Sequence, residues 1–260
     1  MGLLDDYYRV SDAGILCACC RKPDWCMAAY DGGSVICQRV ESPIPIGEAG
    51  WLHYLPVLGK PPEKRRVETS TIDWQRRQCN YRGQLNLQRM KQLVDVLSVQ
   101  SESLATLETG WCGDAWTFPI YNEHREIIGI QRRYTNGAKR TMRGSCITGV
   151  HWPTTFSFGK PIYIVEGHSD CAVALDMGLN VLARLSCSCG RQVLSRICVG
   201  HPVTIIADTG NEHERKGALR LQETLKQVCP QVRIYWPPAK DLRAAVQKCG
   251  QETIMKDLCE

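Results

Sequence analysis

From residue 159 onward, short apolar runs alternate with amphipathic stretches, and this alternation limits the possible folds more than any other feature. The runs are Ile162–Val165, Val181–Leu185, Val203–Ala207 and Val232–Trp236. Each is too short for a helix and mostly apolar without strict alternation, which suits a strand buried on both faces. Helical spacing fills the gaps, at Ser169–Met177, Arg191–Cys198 and Arg215–Val228. The last of these carries Ala218, Leu219, Leu221 and Leu225. A further helix, Leu242–Lys248, follows the fourth run. Short crossovers of this kind favour a parallel sheet with helices on both faces, an α/β class.

The strand ends carry acids. Pro161-Ile-Tyr-Ile-Val-Glu-Gly167 finishes in Glu166, and His168-Ser169-Asp170 offers a polar helix start. Val203–Ala207 runs into Asp208, with Thr209-Gly210-Asn211 as the turn, and Val232–Trp236 is followed by Pro237-Pro238 and then Lys240-Asp241. In open α/β sheets ligands gather beyond the carboxyl ends of strands. A surface glutamate in a βα turn is the bland alternative for Glu166 taken alone. Three acids after three different strands argue instead for convergence. Converging carboxylates bind hard divalent cations through oxygen, and such cations stabilise the oxygens of an in-line phosphoryl displacement. Glu166, Asp208 and Asp241 are therefore the candidate catalytic residues and the candidate ligands for Mg2+ or Mn2+.

The N-terminal segment has a different chemistry. Of fifteen cysteines, five fall within residues 17–37. Cys17, Cys20, Cys26 and Cys37 can close a tetrahedral zinc site with no open position, which makes the metal structural. Cys19 is the spare thiol and an alternative to Cys17 or Cys20. Asp31-Gly32-Gly33 predicts a hairpin turn and Ser34–Cys37 its returning strand. A β-ribbon of this size needs the metal in place of a core. Arg21, Trp25 and Arg39 lie around the site, either as a cover for that small core or as contacts for nucleic acid.

Between these ends, residues 42–72 have the composition of a linker. Pro43, Pro45, Pro56, Pro61 and Pro62 break helices, and Lys60 and Lys64-Arg65-Arg66 make the segment basic. From Trp74 the spacing is helical, through Leu85, Leu87, Met90, Leu93, Val94 and Leu97, with a second helix over Ser98–Glu108 and Ser101 as its cap. Ala115–Ile120 and Ile127–Tyr134 predict an antiparallel pair, Asn136-Gly137 a hairpin turn, and Lys139–Ser145 a further strand or loop. Arg132, Arg133, Lys139, Arg140 and Arg143 gather there, and with Lys240 they are the candidate contacts for nucleotide or nucleic-acid phosphates. A solvated sheet face is the alternative.

At this point the chain resembles the Toprim module of primases, topoisomerases and related nucleases. Ile164-Val165-Glu166-Gly167 matches its first acidic element, Ala207-Asp208-Thr209-Gly210 the first acid of an Asp-x-Asp, and Lys240-Asp241 the Lys-Asp of phage primase-helicases. The segment Cys17–Ser42 resembles the zinc ribbon that precedes Toprim in DnaG-type and phage enzymes, and Ala115–Arg143 their preceding strand pair. The resemblance implies a zinc ribbon over 1–42, a linker and helix over 43–90, a primase-like α+β region over 91–158 and a Rossmann-like Toprim domain over 159–260. It implies a nucleotidyltransferase that makes short RNA primers on single-stranded DNA from ribonucleoside triphosphates with Mg2+ or Mn2+. The second acid of the Asp-x-Asp is absent, because Gly210 stands there. Asn211, Glu212 and Glu214 are the alternatives for it if the loop is one residue longer than the family's. A degenerate centre that only binds single-stranded DNA, or a metal-dependent nuclease, are the competing readings.

Composition sets outer limits. The net charge of +5 permits nucleic-acid binding, and the 43% hydrophobic content is that of a core-forming chain. Met1-Gly2-Leu3-Leu4-Asp5-Asp6 has no signal-peptide pattern and no apolar run approaches membrane-spanning length, so a cytoplasmic location and reduced thiols are expected. No phosphate-binding Gly-x-x-x-x-Gly-Lys loop occurs, so unwinding is expected of a separate helicase.

Overall fold

The computed structural model describes residues 6–55 and 72–259, which fall into two units, Met1–Thr71 and Ile72–Glu260. Pro56, Pro61, Pro62 and the basic run Lys60 and Lys64–Arg66 lie outside the described residues.

The first unit opens with β1 (Tyr7–Arg9) and a single turn, α1 (Val10–Ala13). Then come β2 (Met27–Ala29), β3 (Ser34–Cys37) and β4 (Trp51–Tyr54), which pair antiparallel in the order β1-β2-β3-β4. The β2–β3 hairpin turns where Asp31-Gly32-Gly33 predicts it. Asp31 Oδ1 accepts the Gly33 N–H at 2.8 Å and Gly32 takes φ +72°. The linker reading of residues 42–72 is corrected by β4, which pairs with β3 from Ser34↔Tyr54 to Cys37↔Trp51. Pro43 and Pro45 precede that strand and forbid a helix, not an extended chain. Gly50 allows the approach: a Cβ there would lie 2.4 Å from the Cys37 carbonyl oxygen. The core is small, and three of its members are thiols: Cys17, Cys26 and Cys37 pack with Val10, Ala28 and Val35.

The second unit begins with three helices, α2 (Trp74–Gln84), α3 (Leu87–Leu97) and α4 (Ser101–Thr106). Asp73 and Asn86 cap the first two, accepting the N–H groups of Arg76 and Arg89 at 2.8 and 2.9 Å. Antiparallel strands follow: β5 (Gly110–Trp111), β6 (Ala115–Tyr121), β7 (Ile127–Tyr134), β8 (Lys139–Thr141) and β9 (Val150–His151). The predicted alternation then appears as β10 (Ile162–Glu166), α5 (Gly167–Asp176), β11 (Val181–Arg184), α6 (Arg191–Ile197), β12 (Val203–Ile206), α7 (Glu212–Leu225), β13 (Val232–Tyr235) and α8 (Leu242–Cys249). A last helix, α9 (Gln251–Cys259), buries Ile254. Ser101 is not the cap of α4. Its N-terminus is held by Asp176 of α5, which accepts from Gln100 N–H at 2.9 Å and Ser103 Oγ at 2.5 Å.

The parallel strands and the antiparallel region do not form separate sheets. They make one nine-stranded sheet in the order β13-β12-β10-β11-β9-β6-β7-β8, with β5 on the side of β6. The joint is β9, antiparallel to both β11 and β6. The four parallel strands are buried on both faces, as their apolar runs predict. Ile162 and Ile164 pack with Leu194 and Leu221 on one side. Val165 and Ile206 pack with Leu97, Leu104 and Leu242 on the other.

Close packing fixes α2 on this sheet. A Cβ on Gly110 would meet Thr117 Oγ1 at 2.6 Å and the α2 backbone at Tyr81 C, 2.7 Å, and Arg82 N, 2.8 Å. Backbone cannot yield as a flexible side chain can, so Gly110→Ala is expected to cost about 2 kcal/mol, read as a lower urea midpoint. An unchanged midpoint would show that α2 is not seated there.

Candidate functional site

The acids lie at the carboxyl end of the parallel strands. Glu166 closes β10 and stands in register with Arg184, the last residue of β11. Glu166 Oε1 accepts from Arg184 Nη2 at 2.6 Å, with the two side chains only 9% and 2% exposed. Arg184 Nη1 is fixed by the carbonyls of Cys187 at 2.9 Å and Gly217 at 3.3 Å. Burial pushes the Glu166 carboxyl above its ordinary range, and Arg184 pulls it back only in part.

Asp208 follows β12 and is half-buried, and among the described residues nothing donates a hydrogen bond to it. Burial raises its pKa to about 8, with Glu166, Asp170, Asp241 and Glu214 adding to the rise. Asp241 caps α8, its Oδ1 accepting from Ala244 N–H at 2.7 Å, and Lys240 Nζ lies 3.5 Å from its Oδ2. The three acids expected from the sequence thus act on one another, and two more join them. Asp170, which the reading of strand ends passed over, sits in the first turn of α5. Burial and then Asp241 raise it to about 7, while Lys139 and Arg243 act the other way. Its signal was its spacing: four residues after Glu166 is one helical turn.

The basic residues divide into two faces. In the β7–β8 hairpin Arg133 is opposite Lys139, and Arg132 is opposite Arg140. Side chains alternate along a strand, so these pairs point to opposite sides of the sheet. Arg133 is buried, with Nη1 3.5 Å from Ser169 Oγ at the start of α5. Lys139 Nζ comes within 3.0 Å of the position a Cβ would take on Gly167. Burial and Arg133 lower the Lys139 pKa, and Asp170 and Asp208 raise it, so its ammonium is among the acids. Arg243 joins this group from α8. Arg132 instead lies over the Tyr134 ring, 5.2 Å from its centroid. Arg140 and Arg143 are exposed, as is Lys240.

A buried polar network ties the two groups together. His168 Nδ1 and His151 Nε2 lie 2.9 and 3.1 Å from Gln131 Oε1 on β7. Phe118 stacks on His168 with ring centroids 3.8 Å apart. Burial keeps both imidazoles neutral, pushing His151 down to about 4.

In the first unit the thiols of Cys17, Cys20, Cys26 and Cys37 lie within 4.8 Å of one another. Cys26 Sγ is 3.7 Å from Cys20 Sγ and 3.8 Å from Cys37 Sγ. A tetrahedral site with zinc–sulfur bonds of about 2.3 Å separates its sulfurs by about 3.8 Å, so the donor set fits structural zinc. Cys19 is outside the set. Cys37 Sγ accepts from the N–H groups of Arg39 and Val40 at 3.4 and 3.3 Å. Burial works to raise the Cys20 thiol, but Lys22 N–H, Arg39 and the neighbouring thiols bring it down to about 6, toward the thiolate that metal needs. Arg39 also pairs with Asp24 at 2.9 Å, which is a structural role, whereas Trp25 is 61% exposed.

Two outcomes follow from these geometries. Unfolded Asp170 and Asp208 release protons near pH 3.8, whereas the folded groups hold theirs to about 7 and about 8. The native state then binds more protons across that window, so stability falls as pH rises through it. In magnesium-free buffer the urea midpoint is expected to be lower at pH 8 than at pH 5.5, with Asp208→Asn flattening the decline. A midpoint that climbs with pH would contradict the burial of these acids. For the thiols, Cys37→Ser should lose the zinc that elemental analysis finds in the wild type, and Cys19→Ser should keep it.

No protein-family model matches the sequence. No curated protein matches it either. Solved structures do. The zinc-binding and RNA polymerase domains of Aquifex aeolicus primase align with a TM-score of 0.57 at 15% identity, over 98% of this chain and 78% of that one. A DnaG catalytic core aligns at 0.55 and 17% identity, over 71% and 77% of the two chains. The primase fragment of the bacteriophage T7 primase-helicase aligns at 0.50 and 15% identity, over 96% and 98%. At such identities the likeness is one of fold. The chain has the fold of DnaG-type and phage T7 primase fragments, with a four-cysteine cluster that fits their zinc ribbon.

Proposed function

We propose that the second unit is a Toprim-type centre for phosphoryl transfer on nucleic acid, and that the protein is primase-like, joining ribonucleotides on a single-stranded DNA template. The observation that carries this reading is the meeting of two opposite charge groups. Glu166, Asp208, Asp170 and Asp241 act on one another at the strand ends, and Lys139, Arg133 and Arg243 approach them from β7, β8 and α8. The fold likeness to primase fragments supports it.

The donor set suits a hard divalent cation: carboxylate oxygens only, with one half-buried acid, Asp208, that has no protein donor. Glu166, Asp208 and Asp241 would hold Mg2+ or Mn2+, which would neutralise charge on the oxygens of an in-line displacement. The remaining work falls to the chain itself. Lys139 and Arg133 hold phosphate oxygens of an incoming triphosphate as point charge and fork. Arg184 keeps Glu166 oriented. The neutral His151–Gln131–His168 network holds α5 and β7 in fixed relation, so that acids and cations keep their separation. Arg132, Arg140, Arg143 and Lys240 are left for the backbone of the template, and the zinc ribbon with exposed Trp25 for stacking on single-stranded bases. A separate helicase would supply the unwinding. Among the described residues no helix is long and apolar enough to cross a membrane.

The test is template-dependent synthesis of short oligoribonucleotides by the full chain with magnesium and varied single-stranded templates. Wild type should make product, with Asp208→Asn and Glu166→Gln down about a hundredfold or more. Salt-sensitive DNA retention without synthesis would favour a binding module. Cleavage of the template would favour a nuclease. Equal synthesis by all three proteins would reject the assignment of the acids.

A further inference from the structure

The strand-end acids leave one position open. Two residues after Asp208, where a second carboxylate on the same loop would stand, the sequence has Gly210. Glycine has no side chain to offer, but the space beside it is not empty. A Cβ built on Gly210 would lie 2.8 Å from Glu214 Oε2. The carboxylate of Glu214 therefore occupies the volume into which a side chain at 210 would grow. A side chain at 210 and the present position of Glu214 exclude each other.

The local structure explains why Glu214 turns back. Asn211 is the N-cap of α7 and Glu214 its third residue, and the two form a capping box. Asn211 Oδ1 accepts the Glu214 N–H at 3.0 Å, and Glu214 Oε2 accepts the Asn211 N–H at 3.1 Å. The cap fixes the side chain over the loop and leaves Oε1 out of the box. The same structure removes the other two alternatives. Asn211 spends its side-chain oxygen on the cap. The Glu212 side chain is 80% exposed and paired with Lys216 at 2.8 Å. The charge of Glu214 is felt at both Asp208 and Glu166.

We propose that Glu214 supplies the carboxylate that Gly210 lacks, so that the divalent cation is held by Glu166, Asp208 and Glu214, with the capping box serving as the arm that delivers it. This rests on the metal-binding reading above. It also explains the glycine: the missing acid and the returned acid fill one place, and the longer side chain reaches it from one helical turn further on.

The test is Mn2+ binding to the full, zinc-loaded chain, followed through the paramagnetic resonance signal of free Mn2+. Glu214→Gln removes the charge while glutamine still completes a capping box, so its effect is not that of a lost cap. Glu214→Gln is expected to weaken Mn2+ about tenfold, the scale on which metal sites register the loss of one supporting group. Adding Gly210→Asp to that variant should recover the affinity, and Glu212→Gln should bind as wild type. If Glu214→Gln binds as wild type while Asp208→Asn is weakened, Glu214 is a cap only and the inference falls while the metal reading stands. If Gly210→Asp fails to restore the weakened variant, the two positions are not equivalent and the inference also falls. If the wild type takes up no Mn2+ at millimolar concentration, the metal reading fails, and the inference with it.

Discussion

Mutual repulsion among Glu166, Asp170, Asp208, Asp241 and Glu214 is the constraint that the larger unit is arranged to contain. Each acid would prefer water, and burial denies it that. The chain answers with a different partner for each. Glu166 has a buried guanidinium, Asp241 a helix N-terminus and Glu214 a cap. Asp170 has the backbone N–H of Arg243 at 3.4 Å and the pull of Lys139. Asp208 has none of these, and its carboxyl is the most disturbed. A buried ion pair such as Glu166–Arg184 does not add much net stability, because desolvation offsets the attraction. Its effect is to fix where the carboxylate points.

The legible parts of the fold were those whose signal is carried by many residues. The four parallel strands could be read because both of their faces are covered and every position is apolar or nearly so. The helices of the α/β half could be read from three- and four-residue spacing. β9 could not: two residues have no period, and yet they turn two expected sheets into one. β4 was hidden by the prolines ahead of it. The start of α7 lies three residues before the apolar pattern begins, because its first turn is set by the Asn211–Glu214 cap and not by burial.

The site was legible in the same uneven way. Glu166 and Asp208 stood out because a carboxylate directly after an apolar run is conspicuous. Arg184 did not, since it sits inside such a run and reads as a strand residue, although it is the partner that holds Glu166. The basic cluster was visible as composition, but neighbours in sequence are not neighbours on a sheet. Alternation sends Arg133 and Lys139 toward the acids and Arg132 and Arg140 away from them. The zinc set was the clearest reading, because four thiols with those gaps leave few other arrangements, and their sulfurs lie at tetrahedral separations.

Gly167 gives the Glu-Gly pair a meaning beyond that of a turn. Its φ of +74° suits a residue without a side chain, and the absent Cβ is also the gap through which the Lys139 ammonium comes close to the first turn of α5. One residue of the dipeptide carries the charge, and the next leaves the door open for the counter-charge. Any larger residue at 167 would act as a spacer between acid and base, and would alter the electrostatic balance of the cleft without touching a single ionisable group.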